Sequence, residues 1–165
     1  VKEFSESKID IQAFHEDTLD YGASVPLLYM MTDTKPFKVV HISLSHDTLD
    51  QQFAAGQVIQ KKLDTSSKRV AVLVSTHLSH ERKNTSLESA SEPTKADAVL
   101  LESIKDHDQE KLERIDEHLL REHNVFGHES ISLLFGILST KNYSLSIKSY
   151  QLALGTGHVT AIAEL

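Results

Sequence analysis

His77 and His80 stand three residues apart at the end of the apolar run "RVAVLVS", residues 69–75. A histidine titrates near neutral pH and can take a proton from a phenol or a water once a neighbour orients its ring. Placed where a rigid strand gives way to a loop, either ring could serve as a general base or a metal ligand. The spacing alone leaves a plainer reading open, with His77 turned into the packing and His80 closing the loop. It excludes the zinc metalloprotease pattern, which needs two His four apart on a helix with Glu between them.

A second group is "FGHESISLLFGIL", residues 126–138, in which His128 and Glu129 open an apolar helix. A Glu in a first helical turn complements the positive end of the helix dipole, so it is commonplace. The same carboxylate beside imidazoles also suits a two-His, one-carboxylate site for ferrous iron. A third group, "DYGASVPLLYM" (20–30), puts Asp20 and Tyr21 before Gly22. A fourth, "LGTGHVTA" (154–161), has glycines that permit a tight turn but lacks a phosphate-cradling pattern, and His158 in it reads as a packed residue. His15, His107, His118 and His123 sit among charged neighbours and read as members of solvated helix faces.

The elements that must position these groups follow from periodicity. "FKVVHISL" (37–44) and "RVAVLVS" (69–75) read as strands, the second buried on both faces as in a parallel sheet. Between them Leu49, Phe53, Val58, Ile59 and Leu63 fall near helical spacing, with Asp47 as a plausible N-cap. Strand, helix, strand implies a right-handed crossover. Residues 81–92 are polar and Ser-rich, as in a long exposed loop. Pro93 suits the first turn of a helix carrying Ala96, Val99, Leu100 and Ile104. A second amphipathic helix carries Leu112, Ile115, Leu119 and Leu120, and a third runs from His128 to Leu138. "YSLSIKSYQLAL" alternates as a strand should, and "GHVTAIAEL" follows the turn "GTG" as another.

The bulk composition narrows the classes. The 165 residues, 39% hydrophobic, suit a single domain over 1–165, and a net charge of −7 with dispersed acidic residues argues against nucleic acid or an anionic membrane as partner. No run approaches the ~20 apolar residues of a membrane span, so a cytoplasmic protein is expected. With no cysteine, any metal must be held by His, Asp or Glu.

In order, "DYGASVPLLYM", "FKVVHISLS", "VAVLVSTHLSH", "FGHESISLLFGIL" and "SYQLALGTGHVTA" resemble the class III extradiol ring-cleavage dioxygenases and the related Memo-like proteins. The most specific element is Leu78-Ser79-His80 after a strand. The resemblance implies a three-layer αβα sandwich around a mostly parallel sheet, with His80 as the acid/base and Glu129 as the carboxylate ligand of Fe(2+). It places Tyr21, His77 and His128 beside the substrate, a small catechol-type aromatic that dioxygen opens. Tyr21 stands where the family usually has His, and His77 where it usually has Gly or Asp. The family's two iron-ligating histidines lie in an N-terminal region with no counterpart in this chain, so the iron site is expected to need a longer protein. A partial sheet would leave apolar surface or an open edge, from which self-association or a missing partner segment is expected. The alternative is a non-catalytic Memo-like binding protein that has lost the iron site.

Overall fold

A computed structural model describes residues 4, 9, 11–12, 18–31, 37–44, 48–80 and 91–165. Among them the chain is mixed α/β, with six helices and one two-stranded antiparallel sheet. The helices are α1 (Tyr21–Met30), α2 (Leu49–Asp64), α3 (Lys95–Asp106), α4 (Gln109–Glu113), α5 (Glu117–Glu122) and α6 (His128–Leu138), followed by β1 (Ser144–Ala153) and β2 (Thr156–Glu164).

Helix α2 begins at a capping box. Thr48 accepts the Gln51 N–H, and the Gln51 side chain accepts the Thr48 N–H at 2.9 Å, satisfying two otherwise orphaned donors. The cap is therefore Thr48; Asp47, expected in that role, lies outside the described residues. Helix α2 packs closely on α6, where a methyl on Gly56 would meet the Leu133 carbonyl oxygen at 2.2 Å. Helix α3 starts after Thr94, whose hydroxyl accepts the Asp97 N–H, so Pro93 precedes the cap instead of entering the first turn. Its inward stripe of Ala96, Leu100 and Ile104 joins Leu78, Leu112, Ile115, Val125, Ile131 and Phe135 in the main core. The second amphipathic helix divides into α4 and α5. Asp108 and Asp116 each accept a backbone N–H just downstream, so the second aspartate starts a new helix where periodicity alone suggests continuation.

The hairpin forms where alternation places it. Leu154 and Gly155, both at positive φ (52° and 74°), make a two-residue turn of the type whose twist matches the flanking strands. A bulge falls between Ile147 and Ser149.

The expected three-layer sandwich with a mostly parallel sheet is not present among the described residues. Residues 37–44 and 69–75 join no sheet there, so no right-handed crossover is formed. Nor is the second segment buried on both faces: Val70, Val72 and Leu73 are 55%, 45% and 42% exposed. A β-branched run becomes a buried strand only where neighbouring strands satisfy its backbone and cover its faces, and the described residues supply none. The loop expected over 81–92 lies outside the described residues from 81 to 90. Among the described residues, no helix is long and apolar enough to cross a membrane.

Candidate active site

The segment Thr76–His80 is held by four anchors. Leu78 drives it inward as a fully buried member of the main core. The Leu78 N–H donates to the Gly157 carbonyl at 3.1 Å and the Gly157 N–H to the Ser79 carbonyl at 2.9 Å, docking the segment on the start of β2. The His80 N–H donates to the His123 carbonyl at 2.8 Å. Finally, Ser79 gives both its donors to Asp97 at the start of α3, the N–H at 2.8 Å to one carboxylate oxygen and the hydroxyl at 2.7 Å to the other.

His80 thus leaves a rigid backbone half-exposed, and its Nδ1 lies 2.8 Å from Thr156 Oγ1. With one ring nitrogen so engaged, Nε2 is the nitrogen left for proton exchange. His77, on the other side of the buried pair Leu78-Ser79, sets its ring edge-on to His80 (centroids 6.2 Å apart) and to Phe126 (5.8 Å). Burial, then the nearby imidazoles of His80 and His158, hold His77 below the usual histidine pKa. A neutral ring at physiological pH follows.

The start of α6 is pressed onto the same segment. A methyl on Gly127 would sit 2.5 Å from the His77 carbonyl oxygen, so only glycine allows this approach. The next two residues are His128 and Glu129, both half-buried. Burial keeps His128 below its usual pKa, although Glu129 acts in the opposite direction, and the buried His128 Nδ1 has no hydrogen-bond partner among the described residues.

Four of the five residues proposed from sequence, His77, His80, His128 and Glu129, therefore flank one contact between the Thr76–His80 segment and the α6 start. Tyr21 is placed differently. It is 83% exposed at the first position of α1, beneath the Asp20 cap, and its side chain has no hydrogen bond or ring contact among the described residues. His158, read as packed, is exposed on β2. His107 and His123 are half-buried instead of lying on solvated faces: His107 closes α3 in the left-handed conformation and stacks on Tyr143, with ring centroids 4.6 Å apart. His118 is exposed as expected, and His15 lies outside the described residues.

Sequence reasoning missed Asp97, Tyr150 and Thr156. Nothing local marks an Asp at the third position of a helix as buried, because first-turn acids are ordinarily solvated. Only the glycines of "GTG" hinted at a close approach, and Gly157 is the one that lies against the Asp97 carboxylate.

The family described as the catalytic LigB subunit of aromatic ring-opening dioxygenase matches residues 1–162. A Clostridium acetobutylicum protein is 27% identical over 141 residues, an alignment that takes in 85% of this chain and 30% of that protein. The chain thus spans about a third of the length of the curated relative it matches. No solved structure matches the chain.

Proposed function

Because the chain belongs to the family of the catalytic LigB subunit of aromatic ring-opening dioxygenase, we propose that it handles the proton and supplies one carboxylate ligand in extradiol opening of a catechol-type ring by dioxygen. The observation that carries this reading is the seating of His80, gripped through Nδ1 by Thr156 on a segment that also abuts the helix start bearing Glu129.

His80 takes the proton of a substrate hydroxyl at Nε2 and returns it as the ring opens. His77, kept neutral by burial, stands beside it without adding charge. His128 lines the same contact, whereas Tyr21, exposed on α1, does not join it among the described residues. Ferrous iron, when bound, would supply the binding of catecholate and dioxygen. Among the described residues no three His, Asp or Glu side chains could hold a metal, so these residues do not complete an iron site. Glu129 is accordingly one ligand of a set that the described residues do not complete. The three-layer parallel sheet belongs to a longer protein, with residues 37–44 and 69–75 as strands. Their exposed Val40, Val70 and Val72 support this assignment.

Anaerobic Fe(II) binding and catechol cleavage by the longer protein test the reading. His80→Ala should keep iron while activity falls by about 10²- to 10⁴-fold, as for lost acid/base catalysis. Glu129→Ala should lose iron; equal iron loss in both variants would reverse the assigned roles. A second reading, a non-catalytic binding protein, is favoured by the His77 ring set against both His80 and Phe126, and by the exposure of Tyr21. Failure of the longer protein to bind Fe(II) would select it.

A further inference from the structure

We propose that Asp97 is the positioning residue for His80, acting through Ser79 and Tyr150. Asp97 is 0% exposed, yet its carboxylate meets three donors: the Ser79 N–H, the Ser79 hydroxyl and the Tyr150 hydroxyl, the last at 2.6 Å. A buried carboxylate is costly unless its oxygens are satisfied, and here three neutral donors and the first turn of α3 satisfy them. Each donor bears on the His80 ring. Ser79 immediately precedes His80, and taking its N–H and its hydroxyl together fixes the residue through which the chain enters His80. Tyr150 lies on β1 opposite Val159, so its hydroxyl ties Asp97 to the hairpin that presents Thr156 to His80 Nδ1.

The fit is closed on the remaining side. A methyl on Gly157 would lie 2.1 Å from an Asp97 carboxylate oxygen, so the carboxylate fills the space between α3 and β2 and cannot shift toward the hairpin. The residue before His80 and the hairpin whose Thr156 holds its ring are thus referred to one buried group.

This role rests on the reading of His80 as the acid/base, but its test requires neither iron nor turnover. In the chain labelled with ¹⁵N-histidine, NMR reports which ring nitrogen of His80 carries the proton, the signals being assigned by their loss in His80→Gln. The native chain should show one predominant His80 tautomer. Asp97→Asn, which keeps the shape but turns one acceptor into a donor, should convert it to a mixture, and Tyr150→Phe should move it the same way by less. Ser103→Ala, which removes a buried hydroxyl from the same helix, should leave the tautomer unchanged. A folded Asp97→Asn with the native His80 tautomer, or an equal change in Ser103→Ala, overturns the proposal. If Asp97→Asn does not fold, an unchanged His80 in folded Tyr150→Phe overturns it instead. Full activity in His80→Ala would sink the acid/base reading while leaving the tautomer result standing.

Discussion

Gly56 and Gly136 face each other across the contact between α2 and α6: a methyl on Gly56 would lie 2.9 Å from the Gly136 Cα, and one on Gly136 would lie 2.1 Å from the Phe53 carbonyl oxygen. Both obstacles are backbone, which cannot swing aside as a side chain can. Alanine at either position gains about 1 kcal/mol of helix propensity. Separating the helices costs roughly 1–3 kcal/mol or more through overpacking. Gly56→Ala and Gly136→Ala should each lower the urea midpoint. Midpoints at or above the native value would show that the two helices are not in close contact.

Acid should weaken the fold through His77 and His128. Burial depresses both, so in the folded chain they take a proton only below the ordinary value of 6.5. The unfolded chain then binds more protons as pH falls from that value through the depressed ones. The stability these neutral rings contribute is fully present above 6.5 and is lost over that descent. Urea titrations between about pH 7.5 and 5.5 should show a falling midpoint, with a shallower fall in His77→Gln and in His128→Gln. An unaltered slope in both variants would remove these histidines as its source.

Leu154 holds a left-handed conformation at the hairpin turn, where a side chain with a Cβ is disfavoured, and it is 60% exposed. Asn or Gly meets that conformation with less strain. Leu154→Asn should therefore stabilise the chain by about 1 kcal/mol, read as a higher midpoint with an unchanged denaturant slope. A lower midpoint would mean that the leucine makes contacts outweighing the strain.

Val40 is 85% exposed and Val70 55%, in segments that join no sheet among the described residues. Exposed β-branched runs of this kind favour association. Sedimentation of the isolated chain should show concentration-dependent self-association, reduced in the double variant Val40→Lys, Val70→Lys. A monomer at all concentrations would contradict the proposal that these segments await partners.

Much of the local architecture was legible because it depends on neighbours in sequence. The helix His128–Leu138 and the hairpin over 144–164 follow from periodicity and turn residues, while "THLSH" and "GHES" were recognisable as chemistry-bearing stretches. Caps were harder to place: Thr48 and Asp116 depend on which of several polar side chains reaches a free N–H.

The apolar content of 69–75 is a property of the sequence. Whether such a run becomes a buried strand depends on partners distant in the chain, and here Val70, Val72 and Leu73 remain exposed. The sequence by itself determined which residues could exchange protons or bind a metal, since that chemistry resides in side-chain types. Tertiary structure alone decided that His80 is held by Thr156, seventy-six positions away, and that Asp97 is buried against Ser79 and Tyr150. Such contacts arise where α3, the hairpin and the Thr76–His80 segment close around one core, and no local pattern encodes that closure.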